Sequence, residues 1–130
     1  MAATEAMASA GPLCDTEAVA SHGPTRRPPP EERRVQIEIM TFRLRPETSE
    51  ADFVLADRRV QVEFAYHQPG MVRRTTARNP DGAWVVIDLW ASAADAADYV
   101  DGWNRDPAPR AFMALIDEDS VETRSYQTLD

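Results

Sequence analysis

The stretch from Gly70 to Ser92 constrains the fold more than any other part of the chain. Two β-prone runs, Met71 to Arg78 and Ala83 to Trp90, flank Asn79-Pro80-Asp81-Gly82. Asn-Pro and Asp-Gly are turn formers, so the two runs read as a β-hairpin. The second run passes almost at once into Ser92, with Asp95 three residues on. That pair is a helix start: a hydroxyl to cap it and an acid in the first turn. A hairpin that feeds straight into a helix leaves few arrangements for what flanks it.

The flanks supply one strand and one helix on each side. Val35 to Phe42 alternates, with Val35, Ile37, Ile39 and Thr41 pointing one way and Gln36, Glu38, Met40 and Phe42 the other. Neither set is simply polar, so both faces are expected to be covered. After Pro46, Ser49 caps a first helix, predicted to run to about Tyr66. Its buried stripe is Phe53, Ala56, Val60 and Phe64, and Gln68-Pro69-Gly70 stops it. The second helix is expected to turn Ala96, Ala97, Val100 and Trp103 inward and to break at Asp106-Pro107-Ala108-Pro109. A short helical turn from Arg110 to Ile116 then buries Phe112, Leu115 and Ile116. Val121 to Leu129 alternates as the last strand. The order β-α-β-β-α-β makes the class α+β, a split βαβ layout with one antiparallel four-stranded sheet and helices on one face.

Residues 1-34 differ. They hold Ala, Pro, Ser and Thr, with Gly11-Pro12, Gly23-Pro24 and Pro28-Pro29-Pro30, and no periodic apolar face. This reads as a disordered Pro/Ala-rich N-terminal extension ahead of a domain at 35-130. It lacks the basic start and continuous apolar core of a signal peptide. Arg26-Arg27-Pro28-Pro29-Pro30 is the one short motif in it, of the kind that polyproline-binding partners take. The formal net charge is -8, which disfavours nucleic acid and anionic membrane surfaces as partners. No apolar run approaches the ~20 residues of a membrane span. All the basic residues are Arg, so no lysine is present for Schiff-base chemistry. The single Cys14 fits a cytoplasmic location.

The spacing of several segments is similar to one family. Thr41-Phe42-Arg43-Leu44 ends the first strand. Gln68-Pro69-Gly70-Met71-Val72-Arg73-Arg74 opens the hairpin, and Leu89-Trp90-Ala91-Ser92 ends the third strand. Phe112-Met113-Ala114-Leu115-Ile116-Asp117 precedes the fourth. Together they resemble the dimeric α/β-barrel superfamily, in its antibiotic-biosynthesis-monooxygenase-like group, over residues 35-130. The resemblance implies a ferredoxin-like subunit with strand order 4-1-3-2, and a homodimer formed sheet on sheet. Such pairing answers the expectation that Met40, Phe42, Trp84 and Trp90 otherwise lie exposed together on the open side.

Two constellations carry possible chemistry. Phase puts Trp84, Val86, Asp88 and Trp90 on one face of the third strand. If Glu38 shares it, two carboxylates sit on the central strands, with Arg124 beside Glu38 and Arg73 or Arg74 beside Asp88. The structural reading of Glu38, Asp88 and Arg124 is a dimer-interface ladder of ion pairs. The functional reading is a carboxylate of raised pKa acting as a base, which requires a cavity beside it.

The second constellation is implied by the resemblance. Relatives that oxygenate aromatic substrates bind them between sheet and helices, with neither metal nor organic cofactor. In this chain that makes His67, Arg73 and Asn104 the candidate catalytic residues and Trp90, Tyr99, Trp103 and Phe112 the substrate walls. His67 would accept a proton, Arg73 steady a phenolate or enolate, and the aromatics hold a flat ring. Each has a plainer role: a helix-end histidine, core tryptophans, a solvent-facing tyrosine. Haem-degrading relatives use a first-strand Asn and a second-helix His, and residues 92-117 contain no His. No metal-ligand spacing or phosphate loop is present. The leading expectation is a cofactor-independent monooxygenase for an aromatic or polyketide-type substrate. The alternatives are a non-catalytic ligand-binding or interaction module, or an oxygen-independent isomerase or cyclase.

Overall fold

The computed structural model describes residues 34–129. The extension, its polyproline motif, Cys14 and His22 lie outside these residues. Four strands and three helices follow in order: β1 (Gln36–Leu44), α1 (Glu50–Glu63), β2 (Met71–Arg78), β3 (Trp84–Trp90), α2 (Ala93–Trp103), α3 (Pro107–Met113) and β4 (Ile116–Gln127). The sheet is antiparallel with order β2-β3-β1-β4, which is the expected 4-1-3-2 read from the other edge.

Local chemistry makes these elements. The Asn79 side chain accepts from the backbone N–H of Asp81 and of Ala83, both at 2.9 Å, and Gly82 supplies the positive φ, so the hairpin closes where the sequence asks. Ser49 and Ser92 cap α1 and α2 through the N–H of Asp52 and of Asp95. The Ser92 hydroxyl also donates to the Asp95 carboxylate. Gly70 lies against that carboxylate with φ +82, and any side chain at 70 would overlap Asp95.

Three segments differ from expectation. The first helix ends at Glu63 and continues as a 3-10 turn, Ala65–His67. Asp106-Pro107-Ala108-Pro109 starts a helix as well as ending one: Asp106 accepts from the Ala108 N–H, and Pro107 occupies the first turn, where no N–H is needed. Ile116 therefore opens β4 instead of closing a helical turn. On α2 the buried residues are Ala96 and Tyr99, while Ala97 is exposed and Val100 is 54% exposed.

All three helices cover one side of the sheet. The facing residues run Phe42 opposite Trp84, Met40 opposite Val86 and Glu38 opposite Asp88. The expectation that Met40, Phe42, Trp84 and Trp90 line the open side is thus reversed, since they pack under the helices. The open side carries Ile37, Ile39, Val85, Ile87 and Leu89, each half-buried. Both faces of these strands are apolar, so alternation alone cannot tell which one the helices take.

Two buried clusters result. One gathers Phe42, Phe53, Trp84, Phe112 and Ile116, with ring centroids as close as 4.6 Å between Phe53 and Trp84. The other joins Phe64, Trp90, Ala96 and Tyr99.

Candidate active site

Beside the second cluster lies a cavity of about 160 Å³. Trp90, Tyr99 and Trp103 form an aromatic wall, with Met40 and Val86 on the sheet side. Tyr99 is the centre of that wall, its ring 4.6 Å from Trp90 and 5.6 Å from Trp103. Val100, largely exposed, stands where the cavity meets solvent. Polar lining comes from Glu38, Asp88 and Thr123. A cavity of this size, lined mainly by hydrocarbon, takes one aromatic ring.

Asp88 is the acid that the cavity makes unusual. It is buried, and its Oδ1 has no hydrogen bond among the described residues. Burial pushes its carboxyl up from 3.8 to about 6, with Glu38 and Asp57 adding to the rise and Arg74 opposing it. Glu38, opposite it on β1, is held differently. It accepts from Gln36 Nε2 at 2.6 Å and from Ser125 Oγ at 2.7 Å.

Arg74 sits behind Asp88, fully buried. Its Nη2 is 2.9 Å from Asp57 and its Nε 3.9 Å from Asp88. Neither N–H is aligned for a hydrogen bond, so these are charge contacts, and Asp57 is the closer partner. The guanidinium donates to Gln61 Oε1 at 3.3 Å and lies 5.7 Å over the Phe112 ring. Thr76 donates to Asp57 at 2.8 Å, and the Tyr66 hydroxyl accepts from the Arg74 backbone N–H. The arginine is therefore locked on its α1 side and only loosely engaged on its Asp88 side. Trp90 Nε1 and the Tyr99 hydroxyl are also buried without a well-aligned hydrogen bond among the described residues, although the Arg74 guanidinium lies close to the hydroxyl. Burial, reinforced by Asp88, keeps the Tyr99 phenol protonated well above its ordinary range.

The predicted residues divide. Trp90, Tyr99 and Trp103 meet at the cavity, as does the Glu38–Asp88 pair. Phe112 is fully buried in the first cluster and is packing, not wall. His67 is exposed at the end of the 3-10 turn, outside the cavity. Arg73 is exposed and pairs with Leu89, which puts it on the open side of the sheet. An irregularity between Met71 and Arg73 shifts the register there, so Arg74 is the arginine beside Asp88. Asn104 is exposed and lines a separate groove. Arg124 pairs with Ile39, whereas Ser125 pairs with Glu38. Arg124 therefore does not share a face with Glu38 and Asp88, and the expected three-residue ladder does not form. The sequence reading passed over Asp57 and Thr123. Asp57 carried a signal, since it falls between Phe53 and Val60 on the inward stripe of α1, where an unpaired acid is rare.

No protein-family model matches the sequence, and a comparison with curated proteins gives no match. Solved structures do match. SnoaB, a cofactor-independent oxygenase from Streptomyces nogalater, is 22% identical at a TM-score of 0.62, over 73% of this chain and 93% of its own. A candidate antibiotic biosynthesis monooxygenase from Caulobacter crescentus is 14% identical at 0.64, over 77% and 94%. Another, from Bordetella bronchiseptica, is 14% identical at 0.62, over 73% and 97%. This chain has the fold of the antibiotic biosynthesis monooxygenase-like proteins. The expected ferredoxin-like α+β subunit is the one observed. Among the described residues no helix is long and apolar enough to cross a membrane, and no three His, Cys, Asp or Glu side chains are grouped as metal ligands.

Proposed function

We propose that this protein is a cofactor-independent oxygenase for an aromatic substrate with an acidic C–H or O–H, and that Asp88 is its base. One observation carries the reading: a carboxylate with its pKa lifted to about 6 lines a cavity walled by three aromatic side chains. A base poised there is ionised at neutral pH, yet basic enough to take a proton from an activated ring. Burial supplies that basicity, and the aromatic wall supplies a flat slot. The likeness of fold to SnoaB supports the same direction.

For an anthrone-type substrate the step runs as follows. Asp88 takes one proton of the ring CH₂. The resulting electron-rich carbanion gives its electrons to O₂ and forms a C–O bond. The peroxide anion takes the proton back from Asp88; the carboxylate then removes the second C–H proton as the O–O bond breaks, and hydroxide leaves as water with that proton, leaving a carbonyl on the ring. One oxygen atom stays in the product and one leaves in water, so the substrate itself is the reductant. Tyr99 remains a neutral phenol and takes no part as a base.

The working unit is a homodimer, formed through the open side of the sheet. Ile37, Ile39, Val85, Ile87 and Leu89 make a half-buried apolar surface there, with Arg124 at its β4 margin. Sedimentation at micromolar concentration tests the dimer, and a stable monomer sinks it.

Oxygen uptake with an anthrone-type substrate tests the chemistry. Uptake in the wild type and at least a hundredfold loss in Asp88→Asn are expected, with His67→Ala near wild type. Turnover that continues without oxygen instead identifies an isomerase or cyclase using the same base. Tight binding of the substrate with no turnover identifies a binding module.

A further inference from the structure

Among the described residues, Trp103 alone lines both the aromatic cavity and the groove next to it. It closes one end of the aromatic cavity and also lines a second, more polar groove of about 360 Å³. It packs against both buried clusters. Its indole is half-buried, with ring centroids 5.6 Å from Tyr99, 5.6 Å from Phe112 and 6.2 Å from Phe64. No described hydrogen bond fixes its N–H. It is also the last residue of α2, whose end is closed by the Gly102 carbonyl accepting from Arg105 and Asp106, so any movement of the indole is a rotation of the side chain.

The groove beyond it has its own chemistry. Asn104, Arg110 and Glu118 line it, with Met113 as an apolar side. Arg110 and Glu118 are exposed, and neither makes an ion pair among the described residues. A donor, an acceptor and an amide around one groove suit a neutral group that both accepts and donates. A primary carboxamide does so, with its oxygen to Arg110 and its NH₂ to Glu118. A carboxylate would meet Glu118 on a chain whose net charge is already -8.

We propose that Trp103 is a removable partition, and that the groove behind it is a distal subsite for the carboxamide-bearing end of a fused-ring aromatic ligand. The inference rests on reading the first cavity as an aromatic slot. One ring fits there with the partition closed. A ligand of three fused rings displaces the indole and reaches Asn104, Arg110 and Glu118 with its far end.

Three probes test this: phenol, a hydroxyanthracene, and the same hydroxyanthracene with a carboxamide on its distal ring. The protein carries 5-fluorotryptophan, and Trp103→Phe assigns the Trp103 resonance in the fluorine spectrum. Both three-ring probes are expected to shift that resonance several-fold further than phenol does when it binds the same slot. The carboxamide is expected to bind at least fivefold tighter than its parent. Arg110→Met should bring it within twofold of the parent and leave phenol unaffected. A carboxylate in place of the carboxamide should bind no better than the parent, and Glu118→Gln should improve it. If a bound three-ring probe moves the Trp103 resonance no further than phenol, the partition is overturned; a carboxamide advantage that is absent, or that survives Arg110→Met, overturns the subsite. If phenol itself fails to bind, the aromatic slot fails and the inference falls with it.

Discussion

The two buried clusters lie under the same helices on the same sheet, yet they are built on opposite terms. Around Phe42, Phe53 and Phe112 the core is hydrocarbon, closed, and stitched by ring contacts of 5.1 to 5.8 Å. Around Trp90 and Tyr99 it holds a cavity, a lifted carboxyl and polar atoms without well-aligned hydrogen bonds. Close packing stabilises; a void beside unpaired polar groups does not. The first half carries the stability that the second gives up to keep a site open. Such a division is common where function needs groups that folding alone would not retain.

The comparison can be broken by substitution. Phe112→Ala should cost about 3–5 kcal/mol, because the ring is fully buried and its neighbours cannot collapse into the space. Urea unfolding measures it, and a loss below ~1 kcal/mol would show that the first cluster is not the stabilising half. Arg74→Met should cost slightly less, about 3 kcal/mol at pH 7, since it leaves buried Asp88 and half-buried Asp57 without their cation. That loss should shrink at pH 5, where Asp88 takes up a proton.

The pH dependence sharpens the contrast. Asp88 is raised from 3.8 to about 6, so between those values the folded protein holds a proton that the unfolded chain has released. Stability from this group therefore falls as pH rises through that window, by roughly 3 kcal/mol in all. Asp88→Asn should flatten this slope and be the more stable protein at pH 7. Unfolding curves at pH 4.5 and pH 7 for both proteins decide it; parallel curves would mean that Asp88 is not perturbed. The smallest effect is expected from Tyr99→Phe. Its hydroxyl makes no well-aligned hydrogen bond among the described residues and only a loose contact with the Arg74 guanidinium, so removing it should change stability by less than ~1 kcal/mol.

The sequence made the elements legible because each boundary has its own local chemistry. Ser49, Ser92 and Asn79-Pro80-Asp81-Gly82 act within a few residues of themselves, and no distant contact overrides them. The aromatic wall came from the family resemblance, since helical phase alone turned Val100 inward where the fold buries Tyr99. What could not be read depends on registers set between strands. One irregular residue in β2 decides that Arg74, not Arg73, turns inward. The β1–β4 register puts Ser125 opposite Glu38 and sends Arg124 to the other side. His67 and Asn104 follow helix ends, where a turn of backbone decides whether a side chain reaches the site, and both ended outside the cavity.

Gly70 has a consequence for how this molecule can breathe. Its bare α-carbon lies against the capping carboxylate of Asp95, while its carbonyl accepts from the Ala91 N–H at 2.7 Å. The leading end of α2 is thereby riveted to the start of β2. The far end is tied as well, since the Gly102 carbonyl accepts from the N–H of Arg105 at 3.0 Å and of Asp106 at 2.9 Å. A guest should accordingly enter past Val100 with both ends of the helix in place, and any side chain at position 70 should loosen α2 by pushing aside its capping carboxylate.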